Sequence, residues 1–136
     1  MTAEPSKAAA RLRVLVVDDD RDCADSTALL LRQLGHESHS VSDAMSALSD
    51  AVAFRPQLIL LDLAMPGKDG FALARDLRNI NGLSELPIVA LTGYADNRHR
   101  DAAGWARFDG YLVKPCGLND LQLILRTIEA SFDERP

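Results

Sequence analysis

A chain of 136 residues is the size of one domain and can bury a single core without disulfide or metal staples. With 47% hydrophobic and 26% charged residues it has an ordinary globular composition, and apolar runs such as 58–61 are far too short to cross a bilayer. The net charge of −5 argues against direct nucleic-acid or anionic-membrane binding, and two cysteines, Cys23 and Cys116, form no disulfide framework and fit a reducing cytoplasm.

Residues 1–11 lack the apolar core of a signal peptide and read as a flexible lead-in to one domain over 12–132, with 133–136 as a tail. Short β-rich runs then alternate with segments of helical period, the pattern of an α/β protein with a parallel sheet. Strands are expected at 13–17, 37–41, 58–61, 88–91 and 110–113. Runs such as Val14-Leu15-Val16-Val17 and Leu58-Ile59-Leu60-Leu61 suit strands covered on both faces. The first helix is expected over 22–34, stopped by Gly35, and the second from Ser42 or Asp43 to Phe54, before Pro56. A third covers 71–80 and ends at Asn81-Gly82, and a fourth covers 96–106 with Gly104 inside it. The last carries the stripe Leu121, Ile124, Leu125, Ile128 and Phe132. Five β/α units in a row predict a flavodoxin-like, doubly wound sheet of five parallel strands in the order 2-1-3-4-5.

Ligands of open α/β sheets sit at the carboxyl ends of the strands, so the residue that ends each strand is a functional question. The first strand ends in Asp18-Asp19-Asp20, the third in Asp62, the fourth in Thr92 and the fifth in Lys114-Pro115, while the edge strand 37–41 ends in nothing reactive. Carboxylates gathered together repel one another and need a cation. Oxygen ligands without His or Cys select a hard ion, Mg²⁺ or Mn²⁺. An aspartate can attack a phosphoryl group to form an acyl phosphate, with a lysine and a threonine hydroxyl opposite to take up the charge. Taken singly, each residue has a plainer reading. Asp20 and Asp22 serve equally as helix N-caps, Thr92 as a turn residue and Lys114 as a solvated charge. Their joint placement is what favours phosphoryl chemistry centred on Asp62.

With these residues in place, the sequence resembles the receiver domains of bacterial response regulators and hybrid histidine kinases. The resemblance rests on Val14-Leu15-Val16-Val17-Asp18-Asp19, on the run from Leu60-Leu61-Asp62 to Met65-Pro66-Gly67-Lys68-Asp69-Gly70, on Ala90-Leu91-Thr92-Gly93-Tyr94 and on Tyr111-Leu112-Val113-Lys114-Pro115. It implies a two-component phosphorelay receiver in which Asp62 takes a phosphoryl group from a histidine kinase or histidine phosphotransfer protein. It implies Mg²⁺ on Asp18, Asp19, Asp62 and the Ala64 backbone carbonyl, with Mn²⁺ able to substitute. Lys114 would contact the phosphoryl group, the bond to Pro115 would be cis, and Thr92 and Tyr111 would form a switch pair. That switch would repack the surface of the fourth helix, fifth strand and last helix for a downstream docking partner. Such a protein catalyses only its own phosphorylation and dephosphorylation, in the cytoplasm, as a monomer or a weak dimer through that surface.

Some positions depart from the family pattern. Ala64 and Tyr94 stand where relatives tune phosphate lifetime; alanine orients no water and tyrosine can screen the site, which implies a longer-lived phosphoryl group. Arg107 replaces a helix-ending glycine near Trp105, which implies a reshaped helix end, and Asp20 adds a carboxylate able to reach a metal through water. His36, His39 and His99 lack metal-ligand spacing and are expected in packing or solvent roles. Cys23 and Cys116 read as small apolar residues. Leu123, off the apolar stripe, is a candidate dimer contact. The alternatives are a receiver that docks without phosphorylation and an aspartyl-phosphate phosphatase; Ala64 cannot supply the second acid the latter needs. A nucleotide or flavin carrier would want glycine and hydroxyl residues where Asp18-Asp19-Asp20 stand. The sequence does not separate a stand-alone receiver from the receiver portion of a hybrid kinase.

Overall fold

The computed structural model describes residues 11–65, 69–93 and 108–133. Strands β1 (Arg13–Val17), β2 (Glu37–Val41), β3 (Leu58–Asp62), β4 (Ile88–Thr92) and β5 (Gly110–Val113) alternate with helices α1 (Arg21–Gln33), α2 (Ala44–Phe54), α3 (Gly70–Arg78) and α4 (Leu118–Asp133). All strand pairs are parallel, in the order β2-β1-β3-β4-β5. The expected helix over 96–106, with Tyr94, His99, Trp105 and Arg107, lies outside the described residues.

Side-chain alternation along each inner strand feeds two separate cores. Leu15, Val17, Ile59 and Leu61 pack with Ala47 and Ala51 of α2 and with Leu73 and Leu77 of α3. Their neighbours Val14, Val16, Leu58 and Leu60 face the other way, onto Ala24 and Leu31 of α1 and Leu121, Leu125 and Ile128 of α4. Every residue of β3 and β4 is buried, which is why these strands read as unbroken apolar runs. Burying each such leucine or isoleucine contributes about 1.5–3 kcal/mol.

Three helices begin on an aspartate. Asp20, Asp43 and Asp69 accept from the N–H groups of Cys23, Ser46 and Phe71 at 3.2, 2.8 and 3.0 Å. Each satisfies an orphan donor and places negative charge at the positive end of a helix dipole. Asp20 thus takes the N-cap role the sequence offered it. Gly35 (φ 95°) closes α1, its N–H bonded to Arg32 O, where the sequence places a stop.

Boundaries shift by a residue or two. β3 and β4 run one residue past expectation, because Leu63 N–H reaches Leu91 O at 3.2 Å and Lys114 N–H reaches Thr92 O at 2.7 Å. Asp62 and Thr92 are therefore held by the sheet rather than by loops. α3 stops at Arg78, short of 80, because Ile80 N–H bonds Leu77 O in a tighter turn.

α3 starts hard against the loop that follows Asp62. A Cβ on Gly70 would lie 2.8 Å from the Leu63 Cα, a backbone atom that cannot swing aside, whereas a Cβ on Gly117 meets nothing within 4 Å. Gly70→Ala is expected to destabilise the protein by about 1–3 kcal/mol in urea denaturation. Gly117→Ala, the matched control, should stay within about 0.5 kcal/mol.

Candidate functional site

The strand ends bring four polar side chains to one rim. Asp18 follows β1, with its N–H on Val41 O at 3.1 Å and its Oδ1 accepting from Asp20 N–H at 3.0 Å. Asp62 ends β3, and its Oδ1 accepts from Ala64 N–H at 3.0 Å. Asp62 pairs in register with Leu91, so Thr92 stands one residue further along the neighbouring strand, almost fully buried. Lys114 follows β5 across a cis peptide bond to Pro115. Tyr111, on the same strand, is 46% exposed.

The carboxylates of Asp18, Asp19 and Asp62 offer oxygens that all lie within 4.8 Å of one another. Asp18 and Asp62 are buried, at 0% and 3% exposure, whereas Asp19 faces solvent. Lys114 Nζ lies 2.9 Å from Asp18 Oδ2 and 3.5 Å from Asp62 Oδ2. The shorter of these contacts is an ion pair without hydrogen-bond alignment, so buried Asp18 Oδ2 has a counter-charge but no hydrogen-bond donor. Three converging carboxylates, one with an unbonded buried oxygen, suit a hard divalent cation such as Mg²⁺ and leave it room for phosphate oxygens. His and Cys supply no part of this set.

One ammonium group does not neutralise this much negative charge. Burial pushes the Asp62 carboxyl up to about 6, helped by the nearby Asp18 charge and opposed by Ala64 N–H and Lys114. Burial acts on Asp18 in the same sense, but there Lys114, the Cys23 thiol, the Asp20 N–H and Asp62 outweigh it and hold the carboxyl below its ordinary value. Burial alone would lower the Lys114 ammonium, yet the two aspartates keep it well above the usual lysine range. Without a metal, Lys114 serves Asp18 first and Asp62 is the carboxyl that takes up a proton.

The sequence reading missed one contact here. Cys23, in the first turn of α1, feels the Asp18 carboxylate; burial and that charge push its thiol up to about 11, which keeps it protonated. No spacing rule identifies it, since it reaches Asp18 only after the chain turns into α1. Asp22 is exposed in the same turn, and Cys116 is half-buried beside Lys114, lining with Cys23 and Thr27 a cleft of about 480 Å³. Two expected packing histidines differ from each other. His36 is buried, whereas His39 is exposed and bonded to Asp50 at 2.8 Å. Leu123 is 68% exposed on α4. No helix of the described residues is long and apolar enough to cross a membrane.

Known proteins resemble this chain in sequence and fold. The response regulator receiver domain family matches residues 14–126. A 14.6 kDa protein of Leptolyngbya boryana is 38% identical over 115 residues, which cover 85% of this chain and 86% of that protein. The DNA-binding response regulator MtrA of Mycolicibacterium paratuberculosis is 34% identical over 126 residues, 93% of this chain but 55% of MtrA, so the chain spans about half of that relative's length. The structure of a CheY-like receiver domain from Methylobacillus flagellatus superposes with a TM-score of 0.80 at 27% identity, covering 88% of this chain and 99% of the other. DNA binding is a property named for MtrA. The acidic charge of this chain describes its own surface and does not address contacts made by other parts of such a regulator.

The raised Asp62 carboxyl gives the metal-free protein a signed pH dependence. An unfolded aspartate titrates near 3.9, so the folded chain holds a proton that the unfolded chain has released, and the resulting stability is lost as pH rises through about 6. Asp62→Asn cannot lose that proton. In urea denaturation without divalent cations, its stability relative to the native chain should rise between about pH 4 and 6 and level off above. A difference that stays flat across that range would show Asp62 ionised throughout.

Proposed function

This chain belongs to the response regulator receiver domain family, and from that premise we propose that Asp62 accepts a phosphoryl group from a phosphohistidine on a histidine kinase or a histidine phosphotransfer protein. The observation that carries the proposal is the Lys114 ammonium, held 2.9 Å from Asp18 and 3.5 Å from Asp62 at the end of a buried parallel sheet. Receiver domains bind Mg²⁺ at an acidic pocket. Here Asp18, Asp19 and Asp62, with the Ala64 carbonyl, would hold Mg²⁺ or Mn²⁺, which supplies positive charge to the phosphoryl oxygens.

The protein's own groups do the rest. The Ala64 N–H fixes one Asp62 oxygen and leaves the other to attack phosphorus. As that P–O bond forms, the P–N bond to the donor imidazole breaks, and the imidazole leaves with the electron pair and takes a proton. Lys114 shifts from the paired carboxylates toward the transferring oxygens. The Thr92 hydroxyl donates to a phosphoryl oxygen, and Tyr111, exposed in this structure, turns into the space that movement opens. The readout is a changed surface around β5 and α4, where a downstream partner docks and where Leu123 is available for weak self-association.

The domain responsible spans about 12–132 and acts in the cytoplasm without turning over a separate substrate. A phosphatase reading fails at Ala64, whose exposed methyl group supplies no acid two residues after Asp62. A docking role without phosphorylation leaves the buried carboxyl groups of Asp18 and Asp62, and the Lys114 ammonium set against them, without a purpose.

Incubation with labelled phosphohistidine donors and Mg²⁺ should label the native chain, and Asp62→Asn should carry no label. Lys114→Ala should slow labelling by about 10²–10³-fold while the fold is retained. Ala64→Asn should shorten the phosphoryl half-life by giving water a polar partner beside Asp62. Label that persists on Asp62→Asn would overturn the site assignment.

A further inference from the structure

At the end of the sheet away from the acidic rim, one titratable side chain ties together three parts of the fold. His36 follows the Gly35 turn and is 7% exposed, with its own N–H bonded to Leu31 O at 3.0 Å. Its Nδ1 accepts from the buried Leu12 N–H at 3.1 Å, which places the imidazole proton on Nε2. Nε2 in turn faces Glu129 Oε2 of α4 at 4.0 Å, too far for a hydrogen bond. Leu12 is also fixed through its carbonyl, which accepts from Glu37 N–H at 2.9 Å. The imidazole therefore bridges the approach to β1, the α1–β2 turn and the last helix.

We propose that His36 is an acid-sensitive latch that holds the residues leading into β1 and releases them when its imidazole takes a proton. A protonated imidazole has no lone pair at Nδ1, so the N–H of Leu12, a residue 3% exposed, loses this acceptor and clashes with a second donor. The charged groups around the ring decide when this happens. Burial and the Arg11 guanidinium both oppose the imidazolium. Glu129 favours it from α4, whereas Arg32 of α1 and Glu37 of β2, the charged residues of those elements nearest His36 in sequence, are exposed. The folded His36 consequently titrates below the ordinary histidine value of about 6.5, and its contribution to stability is present above that value and lost as pH falls. Once charged, the ring is drawn toward Glu129, which exchanges a tie to β1 for one to α4.

The test is a pH titration of the full chain by NMR, following the His36 ring and the protection of the Leu12 amide from hydrogen exchange. Protection, corrected for the intrinsic pH dependence of exchange, should fall about tenfold or more in step with His36 protonation. His36→Asn retains an acceptor without a titrating proton and should hold Leu12 protection constant over the same range. Glu129→Gln should move the transition to lower pH, and it provides a second readout if His36→Asn fails to fold. Leu12 protection that stays constant while His36 titrates, or a transition unmoved by Glu129→Gln, would overturn the proposal.

Discussion

Two carboxylates, Asp18 and Asp62, are buried within reach of a single ammonium group, and much of the structure serves to hold them there. At an effective dielectric constant of about 20, like charges roughly 4 Å apart repel by about 4 kcal/mol, which Lys114 only partly offsets. The sheet tolerates this because each aspartate sits at the buried carboxyl end of a strand and is pinned by backbone donors, Asp20 N–H for one and Ala64 N–H for the other. A rigid sheet thus stores an electrostatic imbalance that a cation and a phosphoryl group would relieve.

The surrounding helices add to this polarity. α1, α2 and α3 all start at the carboxyl end of the sheet, each with an aspartate cap over its first N–H groups. Their dipoles point positive ends toward the rim, which favours an anion arriving there despite the acidic residues. Asp20 and Asp69 cap the helices that flank the site, so the same residue type serves helix geometry at one position and chemistry at the next.

The opposite pole carries ties rather than chemistry. Arg78 donates to Leu86 O and Asp109, while Asp109 accepts from Ile88 N–H, which fastens the end of α3 to the starts of β4 and β5. Arg55 ends α2 in the left-handed region (φ 53°), a cost of about 1–2 kcal/mol for a side chain with a Cβ. Its carbonyl accepts from Arg13 Nε at 2.9 Å and its guanidinium donates to Asn81 O at 2.7 Å, two hydrogen bonds of about 0.5–1.5 kcal/mol each that offset the strain. His36 belongs to this pole. It is the member of the set whose hydrogen bond to Leu12 N–H is lost when the side chain takes up a proton.

The sequence by itself determined the fold class, the strand order and the convergence of Asp18, Asp62, Thr92 and Lys114, because alternating apolar runs and the residue that ends each strand are local properties of the chain. It also marked Gly35 as a stop and Asp43 as a cap, since both act on their immediate neighbours. Tertiary structure alone decided the rest. Asp62 and Thr92 lie inside the ladder because hydrogen bonds from Leu63 and Lys114 extend it, and those partners are distant in sequence. Cys23 comes under the influence of the Asp18 carboxylate only after the turn into α1, and His36 becomes a buried acceptor only when Leu12 and Glu129 are packed around it. Lys114 likewise comes nearer Asp18 than Asp62, at 2.9 Å against 3.5 Å, a difference set by packing and invisible to spacing.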